Sequence, residues 1–287
     1  MDDAPVLTER RAGYRVITLN RPRYLNAFNE AMHRALRGAL VEAEEDGDCR
    51  ALLLTGTGGA FCAGQDLRER VTAEGKTTVL GEALETYYNP LVRKLRALPF
   101  PVVAAVNGVA AGAGANIALA CDIVLAARSA TFLQAFAKIG LVPDCGGTWV
   151  LPRLLGPARA RALALTAEPI SADQAETWGL IWKAHDDSEL MAQAHGLCAR
   201  FAAAPAVALA LIKRLLDESW SNDRHTTRSR ARGTARGEPF ARLRRRRLRI
   251  PAKAPAGLRR PQAALEWARQ VPHDRASAIT CYAAGSG

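Results

Sequence analysis

The sequence predicts an α/β domain, because short apolar segments of strand length alternate with segments of helical periodicity. Residues 51–55 and 102–106 are almost continuously apolar, as expected of strands buried on both faces. Residues 30–45 place apolar side chains three and four positions apart, which indicates an amphipathic helix. Both strands lead into glycine-rich turns. Together these features favour a mainly parallel sheet covered by helices.

The predicted elements have recognisable boundaries. A half-buried strand at 14–20 ends before Pro22, and Asn29 is placed to cap the helix at 30–45. Further along, we expect a helix at 81–98 that ends at Pro99, the strand at 102–106, a helix that continues through 117–121, and a strand at 122–126. Beyond Pro143 the pattern is helical, with breaks expected at Pro157, Pro169 and Pro205.

Composition favours one large domain with an appendage. The chain has 287 residues, 49% of them hydrophobic, which supports a sizeable core. Its first residues lack the pattern of a signal peptide, and no apolar run reaches the roughly 20 residues that span a bilayer. The six cysteines are scattered without metal-ligand spacing. We therefore expect a soluble cytoplasmic protein with reduced thiols, no metal and no membrane contact.

The net charge of +11 is confined to the end of the chain. Residues 221–287 hold 15 Arg and 1 Lys against 4 Asp or Glu, a balance of +12, so the preceding 220 residues carry −1. Such charge blocks are normally solvated and disordered. A basic arm for nucleic acid is the alternative, but within 224–260 the only aromatic residue is Phe240, so nucleic-acid binding is not expected.

Two glycine turns and one aspartate indicate an anion-binding site. The strand at 102–106 runs into a small-residue turn and a helix, an arrangement that leaves backbone N–H groups free for developing negative charge. Asp144 lies in a loop bounded by Pro143 and Gly146. Neither Gly112 with Gly114 nor the 56–59 loop completes a nucleotide-binding fingerprint, so we expect no nucleotide cofactor.

A third candidate segment, 61–67, has residues small enough for a ligand to approach its backbone. Taken alone, it is equally typical of a surface turn capped by Asp66. Asp144 alone is likewise typical of a turn residue that accepts a hydrogen bond from the N–H of Gly146 or Gly147. The combination of the three segments favours a reaction through an enolate.

The motifs in these segments resemble the enoyl-CoA hydratase/isomerase (crotonase) superfamily from about Val6 to Trp220. The motifs that carry this resemblance are Phe61-Cys-Ala-Gly-Gln-Asp66, Ala105-Val-Asn-Gly108, Gly112-Ala-Gly114 and Cys121-Asp-Ile123. Four more are similar to the ring-1,2-epoxyphenylacetyl-CoA isomerase branch of phenylacetate breakdown: Tyr88-Asn-Pro-Leu-Val-Arg93, Ala126-Ala-Arg-Ser129, Gly140-Leu-Val-Pro-Asp-Cys-Gly-Gly-Thr-Trp149 and Trp178-Gly-Leu-Ile-Trp182.

The resemblance implies a fold and a domain organisation. The fold is a spiral of β-β-α repeats with a C-terminal helical region. Residues 1–200 would form the acyl-CoA-binding core and 201–220 the start of the helical region. Family members form trimers or hexamers through helices that this chain replaces with its arginine-rich tail, so a homotrimer or hexamer is expected only if the tail permits.

The resemblance also assigns roles to residues. Gln65 and Ala113 would hold the thioester oxygen through their backbone N–H groups, and Asp144 aligns with the catalytic aspartate of the isomerase branches. The two glutamates of the hydratases are replaced by Asn116 and Phe136. The CoA- and substrate-binding residues would be Arg23, Leu25, Ala27, Ala63, Asp66, Leu67, Arg68 and Asn116. Arg23 and Arg68 suit the CoA phosphates but are equally typical of solvated surface charges.

The function expected from the resemblance is isomerisation of an acyl-CoA, most specifically conversion of the ring epoxide of phenylacetyl-CoA to its oxepin form. CoA is then part of the substrate, and no separate cofactor is expected. A Δ3,Δ2-enoyl-CoA isomerase and a non-catalytic basic-tailed binding protein are the alternatives. A dehalogenase is disfavoured, because every histidine lies outside the site motifs.

The tail at 221–287 departs from the family entirely, and we interpret it as the product of a frameshift. Residues 250–258 can be encoded by codons that, read one base later, give Phe-Arg-Arg-Lys-Arg-Pro-Pro-Ala. This string resembles the Phe-x-x-Lys-Arg ending of the superfamily.

Overall fold

The structure is a computed structural model that describes residues 4–70 and 80–219. The tail expected at 221–287, with its proposed disorder and frameshift, lies outside the described residues. Within them, the strands in chain order are β1 (Val6–Arg11), β2 (Tyr14–Leu19), β3 (Leu52–Gly56), β4 (Ala60–Cys62), β5 (Val102–Val106), β6 (Val109–Ala111), β7 (Ile123–Ala127), β8 (Thr131–Leu133), β9 (Ile170–Ser171) and β10 (Lys183–His185).

The helices of the described residues follow the same order: α1 (Glu30–Glu45), α2 (Leu80–Ala83), α3 (Asn89–Ala97), α4 (Ala113–Leu119), α5 (Gly147–Thr166), α6 (Ala172–Trp178), α7 (Leu190–Ala203) and α8 (Ala206–Ser219). A π-helical turn, Leu84–Tyr88, joins α2 to α3. None of these helices alone is long and apolar enough to cross a membrane, whereas α7 and α8, bent by 109°, pass that test only as a pair.

Two sheets form the frame. The larger sheet has the order β1-β2-β3-β5-β7-β10, in which β1 pairs with β2 antiparallel and the remaining neighbours are parallel. The smaller sheet has the order β4-β6-β8-β9, with β9 antiparallel to β8. Strands β3 and β5 are almost wholly buried, which explains their continuous apolar sequences.

The chain builds this frame as a spiral of β-β-α repeats. In the pairs β3–β4, β5–β6 and β7–β8, the first strand enters the larger sheet and the second enters the smaller one. A helical segment follows each pair: α2–α3, α4 and α5. The α/β class, the repeats and the helical C-terminal region are therefore confirmed. Both turns of the candidate site lie where a smaller-sheet strand leads into the next segment.

Most sequence-predicted boundaries are confirmed. The side chain of Asn29 accepts a hydrogen bond from the N–H of Met32 at 2.9 Å and caps α1. Gly156, with a φ of 72°, interrupts α5 immediately before Pro157, and Pro205 separates α7 from α8. Strands β1 and β10 and the smaller sheet were not predicted from the sequence; most strands of the smaller sheet have only three residues.

Helix α8 is fastened to the core by a buried lysine. The ammonium of Lys213 donates to the carbonyls of Leu95 and Phe100 at 3.0 and 3.2 Å, and it lies 2.8 Å from a carboxylate oxygen of Asp122. That oxygen also accepts from the N–H of Val102 at 2.7 Å, at the start of β5. Burial raises the pKa of Asp122, and Lys213 opposes this. These polar contacts thus hold α8 of the C-terminal helical region against the core.

We predict that Lys213→Met destabilises the full chain by about 1–3 kcal/mol, because it leaves the carbonyls of Leu95 and Phe100 without this donor and the Asp122 carboxylate without its cation. Arg214→Met is the matched control, since Arg214 is exposed and, within the part of the chain that the structure describes, forms an ion pair with Glu218 at 3.5 Å; it should change stability by less than about 0.5 kcal/mol. Urea unfolding of both variants measures the difference. Equal, small effects would show that Lys213 is not an anchor.

Candidate active site

The segment after β4 is held against the chain that precedes α1. Phe28 donates its N–H to the carbonyl of Gly64 at 2.7 Å and accepts from the N–H of Asp66 at 2.9 Å. Gln65 lies between these two bonds, and because successive N–H groups of an extended strand point to opposite sides, its own N–H faces away from Phe28. The N–H assigned to the thioester oxygen takes no part in this pairing.

The second donor lies beside the first. Ala113 is the first residue of α4, so its N–H has no partner inside the helix. A Cβ atom on Gly64 would lie 3.4 Å from the nitrogen of Ala113, which places the segment that carries Gln65 against the start of α4. The structure therefore brings the segments that carry the two predicted N–H groups into contact.

Glycine is required at the contacts that create this proximity. Gly64 and Gly112 have φ angles of 94° and 52°, a region in which side chains are strained. A Cβ on Gly114 would lie only 2.2 Å from the carbonyl oxygen of Cys62, so α4 packs directly on the backbone of β4. Small residues at these positions are a steric requirement of the site.

Asp144 lies in a tight turn before α5. Its carbonyl oxygen accepts from the N–H of Gly147 at 2.7 Å, and the turn requires positive φ angles at Cys145 and Gly146. The turn-residue alternative assigned this bond to the carboxylate, but the main chain makes it. Among the described residues, Oδ1 of Asp144 is buried and has no hydrogen-bond partner.

Burial determines the ionisation of Asp144. It raises the pKa of this carboxyl, and the neighbouring thiol of Cys145 partly opposes the shift. Phe136 is buried, whereas Val142, two residues before Asp144, is 78% exposed. Phe136 also covers the α4 turn, because a Cβ on Gly112 would lie 3.7 Å from its ring.

The predicted CoA-binding residues fall on two adjoining segments. The N–H of Ala63 donates to the carbonyl of Leu25 at 2.9 Å and joins the chain around 22–28 to that around 63–68. Side chains on this surface differ in exposure: Arg23, Leu25, Leu67 and Arg68 are exposed, whereas Ala27 and Asp66 are buried. The exposed members can contact a ligand directly.

Asp66 organises the cationic part of this surface. Its carboxylate accepts hydrogen bonds from Arg21 at 3.1 Å and from the side chain of Arg68 at 3.1 and 3.2 Å. Burial raises the pKa of Asp66, but its bonds to Arg68 and Arg21 outweigh burial and hold the pKa below its usual range. Both guanidinium groups also lie over the ring of Tyr24, at 4.6 and 4.1 Å.

Arg21 was not predicted from the sequence to belong to this surface. Asn116, assigned to substrate contact, is fully buried and donates to the carbonyl of Asp144 at 2.9 Å. Two cavities of about 570 and 360 Å³ lie elsewhere, the first near Arg10 and Arg50 and the second between α1 and α3. Neither is lined by a predicted site residue.

A family model described as enoyl-CoA hydratase/isomerase matches residues 9–248. The chain belongs to the enoyl-CoA hydratase/isomerase (crotonase) family. It is 51% identical to the 1,2-epoxyphenylacetyl-CoA isomerase of Escherichia coli K12 over 218 residues, which cover 76% of this chain and 83% of that protein. It is 49% identical to a probable enoyl-CoA hydratase of Rhodobacter capsulatus over 210 residues, covering 73% and 80% of the two chains.

A solved structure agrees with this assignment. The crystal structure of a putative enoyl-CoA hydratase from Streptomyces coelicolor is 33% identical, superposes with a TM-score of 0.76, and covers 85% of this chain and 92% of its own. This crotonase-family chain is therefore an acyl-CoA hydratase/isomerase enzyme. The names of its relatives include both an isomerase and hydratases.

We predict that Gly114→Ala destabilises the protein by about 1–3 kcal/mol and lowers acyl-CoA turnover, because its methyl group would push α4 away from β4. Gly38→Ala is the matched control. Gly38 lies in α1 with no atom within 4 Å of its Cβ position, so this change should stabilise the protein by about 0.5–1 kcal/mol. Thermal unfolding and steady-state kinetics measure both; unimpaired Gly114→Ala would contradict the steric requirement.

Proposed function

We propose that this enzyme isomerises acyl-CoA thioesters and that its specific reaction converts ring-1,2-epoxyphenylacetyl-CoA to oxepin-CoA. The observation that carries the proposal is the buried Oδ1 of Asp144, which has no hydrogen-bond partner in residues 4–70 and 80–219 and lies on a loop attached to the helix that begins with Ala113. The likeness to the E. coli isomerase supports the choice of substrate.

In the proposed mechanism, the N–H groups of Gln65 and Ala113 bind the thioester oxygen and stabilise it as negative charge develops. One such donor typically lowers the barrier by ~3 kcal/mol. Asp144 acts as the base that takes a proton from one carbon and returns it to another, or assists opening of the epoxide ring. CoA belongs to the substrate, and the chemistry proposed here uses no further cofactor.

The residues at the hydratase positions support isomerisation over hydration. Water addition needs a group that activates water, and the two positions assigned to glutamates hold Asn116 and Phe136. The side-chain amide of Asn116 donates to the carbonyl of Asp144 and accepts a hydrogen bond from Gln134. The ring of Phe136 has no group that can transfer a proton. Asp144 is left as the one carboxylate assigned to proton transfer.

A Δ3,Δ2-enoyl-CoA isomerase is the second candidate, because the same three groups can move a double bond in an aliphatic chain. Comparing turnover of the ring epoxide with that of a 3-enoyl-CoA distinguishes the two. Faster reaction of the 3-enoyl-CoA would favour the second candidate. Appreciable hydration of a 2-enoyl-CoA would favour the hydratase names of other relatives.

The proposed function also extends to CoA binding, cellular compartment and assembly. Exposed Arg68, fixed by Asp66 and Tyr24, and exposed Arg23 are proposed to bind the CoA phosphates. The described cysteines, Cys49, Cys62, Cys121, Cys145 and Cys198, are all free, which supports the proposal of a reducing cytoplasm. We also propose that the chain forms a homotrimer or hexamer if the tail permits, and that residues 221–287 arose from a frameshift. The gene sequence tests the latter, because absence of a family-like ending in another frame would rule it out.

We predict that Asp144→Asn lowers isomerase kcat by at least about 10²-fold, because it removes the proton-transferring group and leaves both N–H donors in place. KM should change little. Steady-state assays of the full chain with the ring epoxide and a 3-enoyl-CoA measure the effect. Asp66→Asn is the contrasting variant, which should raise KM by weakening the Arg68 surface; retained kcat in Asp144→Asn would refute the mechanism.

We predict a matching pH dependence. The base must be ionised, and burial raises the pKa of Asp144, so kcat should fall as the pH drops through a value above the ordinary carboxyl range. Removing this buried charge should also make Asp144→Asn more stable than the wild type at neutral pH. That gain should shrink as the pH falls through the raised pKa and vanish below the unfolded-state pKa, which unfolding at several pH values measures.

A further inference from the structure

We propose that Asn116, oriented by Gln134, is a positioning residue that fixes Asp144 at a set distance from the N–H of Ala113. This inference rests on the proposed function, because it concerns the spacing of the proposed base and the proposed oxyanion donor. Neither Asn116 nor Gln134 is proposed to touch the substrate. Their role is to join two parts of the site that the chain brings together from separate repeats.

Asn116 is built into the helix that provides the oxyanion donor. It lies three residues after Ala113, and its N–H donates to the carbonyl of Gly112 at 3.1 Å. Every residue of α4 is buried, and Asn116 has no exposed surface. The side-chain amide of Asn116 is therefore held by the first turn of α4. A group that is hydrogen-bonded to this side chain takes its position from that turn.

The other end of the connection is the main chain of Asp144. The Nδ2 of Asn116 donates to the Asp144 carbonyl at 2.9 Å, and the N–H of Gly147 donates to the same oxygen at 2.7 Å. Two hydrogen bonds satisfy both lone pairs of this carbonyl. The peptide oxygen thus holds the loop, and the carboxylate of the same residue stays available for reaction.

Gln134 determines which way the Asn116 amide faces. Its Nε2 donates to Oδ1 of Asn116 at 2.9 Å, in a fully buried contact. Because that oxygen is occupied as an acceptor, the amide must present its N–H₂ group to Asp144. Gln134 follows β8 directly, so the connection runs from the smaller sheet through α4 to the Asp144 loop.

The side-chain amide of Asn116 packs directly against Gly147. A Cβ on Gly147 would lie 2.4 Å from Nδ2 of Asn116, so a side chain there would displace the amide. The φ of Gly147 is not in the left-handed region, which means that the absence of a side chain serves this contact and not the backbone conformation. The sequence Gly146-Gly147 after Cys145 is explained by two different needs: a positive φ at Gly146 and space at Gly147.

The consequence for catalysis is geometric. Proton transfer by Asp144 depends on the distance between its carboxylate and the carbon next to the bound thioester, and a misplacement of about 1 Å can lower a rate roughly 10²-fold. Loss of the Asn116 contact would let the loop move relative to Ala113. It should therefore affect kcat and the ionisation of Asp144 far more than KM.

The test uses two changes at Asn116 that predict opposite pH effects. Asn116→Leu removes both hydrogen bonds without adding charge; the loop should relax, Asp144 should become better solvated, and the acidic limb of kcat should move to lower pH. Asn116→Asp adds a negative charge beside the loop, so this limb should move to higher pH. Both variants should lower kcat by about 10²-fold with KM within about three-fold.

Two further variants change residues that contact the side-chain amide of Asn116 and leave Asn116 itself unchanged. Gln134→Leu and Gly147→Ala should lower kcat and shift the acidic limb as Asn116→Leu does. Combining Gln134→Leu with Asn116→Leu should add little, because both remove one connection. The matched control is Asn107→Asp. The side-chain amide of Asn107 donates to the carbonyls of Gly58 and Ala60 at 2.9 and 3.3 Å, and both partners are far from the Asp144 loop in sequence. This control variant should lower the melting temperature and leave the pH profile unchanged.

A titration without turnover separates this inference from the proposed function. NMR of ¹³C-labelled aspartate, with the Asp144 signal identified by its loss in Asp144→Asn, reports the Asp144 pKa in the substrate-free protein. If the wild type turns over no acyl-CoA, the proposed function fails, and opposite pKa shifts in the two Asn116 variants would still support the positioning role. Folded variants with unchanged Asp144 pKa, or with kcat effects no larger than those of Asn107→Asp, would overturn it.

Discussion

The close approach of α4 to β4 sets the geometry of the candidate site, because both proposed oxyanion donors depend on it. The helix can lie on the backbone of the strand only where no side chain intervenes, and Gly114 meets the carbonyl of Cys62 at that point. This contact places the N–H of Ala113 beside the segment of Gln65. The rest of the site follows from α4, since its buried Asn116 reaches the Asp144 loop.

Two aspartates in this region are placed in opposite environments. Asp66 accepts hydrogen bonds from two guanidinium groups, which hold its pKa low and keep it ionised as a structural anion. Asp144 is partly exposed, but its Oδ1 is buried and has no hydrogen-bond partner among the described residues, and burial raises its pKa. Environments that separate the pKa values of two carboxyls are typical of sites in which only one handles protons. The contrast supports Asp144 as the base and Asp66 as the organiser of the proposed CoA-binding surface.

Patterns that depend on neighbours in the chain were predictable from sequence. The apolar runs of β3 and β5, the Asn29 cap and the proline breaks each follow from a local rule, and the structure confirms them. Short strands such as β6 and β8 were missed, because three residues provide too little periodicity. The candidate donors at Gln65 and Ala113 and the aspartate at 144 were named from motifs, and the structure brings their segments together.

The sequence by itself determined the family, the order of the repeats and the residue types at the site, since these are recorded in motifs and in local periodicity. The tertiary structure decided which polar groups remain free. That Asp144 uses its main-chain oxygen for the loop, that Gln134 orients Asn116, and that the Arg68 guanidinium lies over the ring of Tyr24 all depend on contacts between segments far apart in the chain. Hydrogen-bond partners far apart in the chain leave no local pattern, so only packing reveals them.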